Sequence, residues 1–265
     1  MAIHFNRRES QESCESIARS EQGLAYDADN FVFNGLTLNT NHVTQLLPCC
    51  YKDAVGFYYN ALVSFALGLH SISKKDYSWA SVQLYYSVYY SCRAVLGFDK
   101  YILIRKGDLF KLKIKDAERT QKSSSRNDHK ATIDFYKSIY GQTDYLLSNN
   151  IDNVDFYTWI ATIREITHYK QNHFKEPDHL NIFDIIVSDL KSGKMIGELL
   201  EKFSANWNLY CFQEEYAAIT GPYHLLIDVH QKYTQQAERI SIQQRKYIEK
   251  IFKNIKCGKI VQSLL

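Results

Sequence analysis

The sequence predicts a mainly α-helical fold: a helical bundle with a small β-hairpin insertion and a C-terminal helical extension. Three observations predict it. Only 11 glycines and 3 prolines punctuate 265 residues, too few for most many-turned β architectures. Apolar residues recur at threes and fours over long stretches, the period of one helix face. Aromatic side chains are plentiful (20 Tyr and 14 Phe), which suits a wide interior packed between helices.

Residues 1–43 read as a polar N-terminal arm or solvated helix, with a short hairpin expected where FVFNGLTL turns at Asn34-Gly35. A long helix is predicted from Val43 to about Ile72, with Val55, Tyr58, Tyr59, Leu62, Phe65, Ala66 and Leu69 on its apolar face. Ser78 should cap a second, central helix ending at Gly97, whose stripe is Trp79, Val82, Tyr86, Tyr89 and Leu96. At 101–114 the rhythm breaks into two short strands across Gly107, followed by a polar loop at 116–128 expected to be mobile. A helix over 129–147 ends at Asn149-Asn150. Asp152 or Asn153 then caps another over 154–170, with Trp159, Ile163 and Ile166 buried and Pro177 closing the unit. The bundle thus spans 44–178, with its insertion at 99–128. The extension, 179–265, should hold helices at about 180–192, 194–217 and, after Gly221-Pro222, 223–257.

Composition excludes several classes. No apolar run reaches about 18 residues, so no membrane span is expected, and no apolar segment follows the basic pair near the N-terminus, so no secretory signal is. The six cysteines form no CxxC pair, and reduced thiols in a cytoplasmic protein are the plain reading, with Cys92 a small core residue. A net charge of +3 decides nothing alone, but the charge is uneven. Residues 99–130 hold ten Lys/Arg against five Asp/Glu, and 231–259 hold eight against two Glu, so both could meet a phosphate backbone. Arg105, Lys106, Lys111, Lys113, Arg126 and Lys170 are the nucleic-acid-binding candidates. A solvated insertion is the plainer reading of the hairpin.

Signatures for nucleotide loops, zinc proteases and serine hydrolases are absent. His168, His173, Asp178 and His179 cluster in sequence, but spacings of five and six do not put two histidines on one helix face, so no metal is expected, and no cofactor is implied. Arg164 and His168 are four apart. An imidazole can shuttle a proton, and a guanidinium can hold a phosphate and stabilise charge building at phosphorus. Those are the two groups a metal-free ribonuclease needs. A plain surface salt bridge from Arg164 to Glu165 or Asp155 is the competing reading. A second pair, Arg126 and His129, enters a helix from a loop.

The run SWASVQLYYSVYYSCRAVL, then HKATIDFY, then WIATIREITHYK, resembles the HEPN superfamily of prokaryotic helical domains over residues 44–176. The resemblance implies an antiparallel bundle of four or five helices, often homodimeric. It implies a component of a bacterial anti-phage defence or toxin-type system that self-associates and binds RNA or a defence-system protein. Two roles follow from it. Active members are metal-independent endoribonucleases whose Arg and His meet across a dimer interface; others are non-catalytic subunits that dock a partner enzyme. Arg164 matches the family arginine and Glu165 the polar position after it. The family histidine usually has four residues between itself and the arginine, and here that place is Tyr169, with His168 one residue earlier. This departure is similar to variant members that keep the arginine followed by an aromatic residue.

Overall fold

The structure, a computed structural model, describes residues 7–176, 178–257 and 263–265. Pro177 and the first six residues of the expected N-terminal arm lie outside them. The protein is mainly helical, with short strands confined to two small sheets among the described residues. Two compact units are each built from separated stretches of chain. The first takes the described residues of Met1–Phe57, Cys92–Ile139 and Gln236–Glu238; the second takes those of Tyr58–Ser91, Tyr140–Gln235 and Arg239–Leu265.

In the first unit, α1 (Glu9–Glu21) is no solvated helix: Cys14, Ile17 and Ala18 are buried. Its N-terminal backbone is capped from a distance, since Asp53 accepts from the Glu9 and Ser10 amides at 3.0 and 2.9 Å. Asp53 lies on α2 (Thr40–Lys74). The hairpin expected at 31–38 does not form. Asn34-Gly35 makes a turn, with Gly35 at φ +82, and the strand-like residues beyond it hydrogen-bond to 117–120 instead. That pairing also corrects the expected mobile loop. Leu38 donates to Glu118 and Thr120 to Leu36, and β3 (Gln121–Lys122) adds to the edge of β2 (Asp108–Lys113). β1 (Tyr101–Lys106) pairs with β2 across Gly107, as the sequence predicts, in the register Tyr101↔Lys113 to Lys106↔Asp108. Alternation puts Ile102, Ile104, Phe110 and Leu112 on one face, where they bury Phe31, Phe33, Leu46 and Cys50. α4 (Asp128–Tyr140) ends seven residues earlier than expected.

The second unit takes the later part of α2, where Tyr58, Leu62, Phe65, Ala66 and Leu69 are buried as the period predicts and Tyr59 is half-buried. α2 has the length and composition to cross a membrane, with an 18-residue window of mean hydropathy 1.2; half of that window is buried by packing, as in a core helix. α3 (Tyr77–Phe98) buries Val82, Tyr89 and Leu96 of its predicted stripe but leaves Trp79 exposed and Tyr86 half-buried. Asp152 and Asn153 do not cap a helix. Both have positive φ and turn a minimal hairpin between β4 (Asn150–Ile151) and β5 (Val154–Asp155). The cap of α5 (Phe156–Glu165) is Asp155, whose Oδ1 accepts from the Tyr157 and Thr158 amides at 3.1 and 3.2 Å.

The C-terminal helices are α6 (Asp184–Lys191), α7 (Ile196–Ala205), α8 (Trp207–Tyr210), α9 (Glu214–Thr234) and α10 (Ile242–Asn254). Gly221-Pro222 does not separate two of them, because α9 runs through both. A Cβ on Gly221 would overlap the Phe156 ring, so this glycine serves close packing rather than chain reversal. Cys14, Cys50, Cys92, Cys211 and Cys257 are buried and form no disulfides, and burial pushes Cys211 and Cys257 up to about 12, which leaves them unreactive.

Candidate functional site

α5 delivers Arg164 from a firm base. Phe156, Tyr157, Trp159, Ile160 and Ile163 are all buried, so the helix cannot rotate without exposing that seam. Beyond Glu165 the chain does not continue as α-helix. Residues Ile166–Lys170 form a π turn, closed by the Gln171 amide donating to the Ile166 carbonyl at 3.2 Å. Thr167 supports it by donating its buried hydroxyl to the Ile163 carbonyl at 2.8 Å, a back-bond that bends helices. The looser winding turns Ile166, expected in the core, out to solvent.

The same winding chooses Arg164's neighbour. Nη2 donates to the Tyr169 hydroxyl at 3.2 Å, and the guanidinium lies 4.9 Å from the Tyr169 ring and 5.4 Å from the Tyr85 ring of α3. The cation is thus held by two aromatic faces. Its Nε is buried and has no hydrogen-bond partner. His168 points elsewhere: its ring meets Trp79 edge-on at 5.9 Å and Tyr169 at 4.6 Å. Trp79 also touches Phe174 at 6.0 Å. Arg164 and His168 therefore meet through Tyr169, which contacts both. Tyr85 is buried, but the other rings nearby are open to solvent, with Tyr169 64%, Trp79 48% and Phe174 46% exposed.

The competing salt bridge from Arg164 is not made; Glu165 pairs with Lys170 at 3.4 Å on the surface. The other cationic candidates belong to the first unit, and each is engaged. Arg105 donates to the Arg126 carbonyl at 3.0 Å, and Arg126 pairs with Asp108 at the same distance. Lys106 lies over Phe31 and 3.4 Å from Asp29. Lys111 and Lys113 lie over Phe135 and Tyr101, each at 5.1 Å. Strand alternation puts Arg105, Lys111 and Lys113 on one face and Lys106 on the other, so three of the four hairpin cations share a face, each already engaged.

The histidines near 168–179 also diverge. His179 Nε2 lies 2.9 Å from Asp184, and its ring contacts Tyr77 at 5.4 Å. Among the described residues no group of three His, Cys, Asp or Glu is placed to hold a metal. Sequence reasoning missed Phe174 and the open setting of Trp79. An aromatic residue inside the polar stretch QNHFKE was the available signal for the first. Compared with protein-family models, curated proteins and solved structures, the chain matches none.

Proposed function

We propose that the chain is a cytoplasmic, HEPN-like helical component of a bacterial anti-phage defence or toxin-type system. It self-associates and binds single-stranded RNA through the face formed by Arg164, Trp79, Tyr169 and Phe174. One observation carries this reading: a guanidinium with an unpartnered nitrogen, held between buried Tyr85 and exposed Tyr169, whose neighbour His168 meets exposed Trp79. A phosphate would pair with the half-buried Arg164 guanidinium, and bases would stack on the exposed rings. In this reading Tyr169 occupies the family's histidine place and orients the arginine.

Cleavage is the second activity this face could support, with Arg164 as phosphate anchor and His168 as the acid/base group facing a 2′-hydroxyl. Exposed Ile166 and Phe174 favour a different reading, a subunit that docks a partner enzyme.

Labelled single-stranded RNA incubated with wild type, Arg164→Ala and His168→Ala separates the three. Binding by wild type that weakens about tenfold in Arg164→Ala supports the RNA reading. Cleavage lost in both variants adds the nuclease role, whereas cleavage that survives both removes these residues from it. No binding at low salt overturns the RNA reading and leaves the docking one.

A further inference from the structure

The second unit holds a cavity of about 560 Å³, well within the 300–1,000 Å³ usual for small-molecule sites, and none of the chemistry above uses it. Its floor is apolar and buried: Ile72, Tyr77, Val187, Ile196 and Ile255. Its rim carries four lysines, Lys75, Lys191, Lys194 and Lys256, against one carboxylate, Asp178. Lys194 is paired with Asp189 at 2.7 Å. Lys75, Lys191 and Lys256 have no ion-pair partner among the described residues.

Two of these lysines sit where the backbone asks for glycine. α2 ends in a turn in which the Lys75 amide donates to Ile72 and the Asp76 amide to Ser71, with Lys75 at φ +67. α10 ends the same way: Lys256 donates to Lys253 and Cys257 to Phe252, with Lys256 at φ +57. The left-handed position of such a turn is usually glycine because a Cβ strains it. Strain held at two points on one cavity rim is a pointer to function. Lysines near helix C-termini also offset the partial negative charge there, but each end carries only about half a charge. Three ammonium groups without ion-pair partners leave an excess.

We infer that this cavity binds a phosphate-bearing small molecule of nucleotide size, its phosphates held by Lys75, Lys191 and Lys256 and its ring lying on the apolar floor beside Tyr77. Ammonium groups on flexible stems gather phosphate oxygens as point charges. An apolar floor would be wasted on a bare ion. This site is independent of the Arg164 face.

Isothermal titration of the full chain with ADP, adenosine and pyrophosphate tests it. ADP should bind at least about tenfold more tightly than adenosine or pyrophosphate, since each lacks one half of the contacts. The double variant Lys75→Gly/Lys256→Gly should weaken ADP by about tenfold or more while keeping or raising the melting temperature, because glycine relieves both strained turns. Lys246→Glu, exposed on α10 outside the cavity, should leave ADP affinity within about twofold. Three results overturn the inference: no ADP binding, adenosine binding as well as ADP, or an equal loss in Lys246→Glu and the glycine variant.

Discussion

The β1–β2 hairpin and the end of α5 hold the same kinds of side chain and use them in opposite ways. In the hairpin, aromatic rings and carboxylates take up the cations: Lys106 on Phe31, Lys111 on Phe135, Lys113 on Tyr101 and Arg126 on Asp108. At the end of α5, buried Tyr85 and exposed Tyr169 hold Arg164 but leave a nitrogen unmet. Local charge density therefore does not measure availability. What matters is whether the fold has already supplied the partner.

The largest expected effect tests what fixes the second region. Gly221→Ala would push a methyl into the Phe156 ring at the start of α5. Overpacking of this kind costs about 1–3 kcal/mol, readable by chemical denaturation. If α5 sets Arg164's position, RNA affinity should fall in the same variant. An unchanged stability would mean that the ring simply swings aside and that α5 is not clamped there.

Next in size is the contrast itself. Lys111→Ala/Lys113→Ala should change RNA affinity by less than about twofold, against roughly tenfold for Arg164→Ala, because each hairpin lysine already lies over a ring. Equal losses would show that the hairpin's partners release its cations when RNA arrives.

Much of the fold was legible and the site less so, for physical reasons that individual residues show. α2, α3 and the β1–β2 hairpin follow from apolar period and Gly107, because those signals are local. Asp152 and Asn153 misled because helix caps and tight turns favour the same side chains, and only the chain's return at Asp155 decides between them. Gly221-Pro222 looked like a break because the need for glycine came from Phe156, 65 residues away in sequence. Arg164 and His168 were visible as a pair, but the π turn that gives Arg164 to Tyr169 has no simple sequence signature. The lysine rim was invisible: its members lie at 75, 191, 194 and 256 and converge only in the fold.

The contact between buried His224 and half-buried Asp228 sets a third case beside the two regions, a pair never charged on both sides at once. His224 stacks on Trp207 at 3.8 Å, and burial pushes it down to about 4. Asp228, 3.5 Å from it, is raised to about 6 by burial and then by Asp144. Above pH 6 only Asp228 is charged, and below pH 4 only His224 is, so the contact is never an ion pair. His224 contributes stability that is present above its unfolded value near 6.5 and lost as pH falls through 4. Asp228 contributes stability present below 3.8 and lost as pH rises through 6. The two slopes oppose each other between pH 4 and 6. Asp228→Asn should therefore expose a stability that rises with pH over that window, and His224→Gln one that falls. Denaturation profiles with the same slope in both variants would refute the assignment.

The smallest expected effect converts one region toward the other. Asp108 is the carboxylate that Lys122 and Arg126 share; Lys122 chiefly, then Arg126, holds it below the ordinary carboxylate range. Asp108→Asn removes its charge while keeping the side chain's shape, which leaves two cations beside β2 without their counter-charge. If partners alone silence the hairpin, RNA affinity should rise a few-fold, and the plot of log affinity against log salt should steepen by about 0.7 for each cation that finds a phosphate. The rise should vanish at high salt, since both groups are exposed and screened there. A variant whose affinity rises without a steeper salt dependence would show that the hairpin changed shape rather than charge. No rise at all would mean that stacking on Phe31, Phe135 and Tyr101, not pairing with Asp108, keeps this surface quiet.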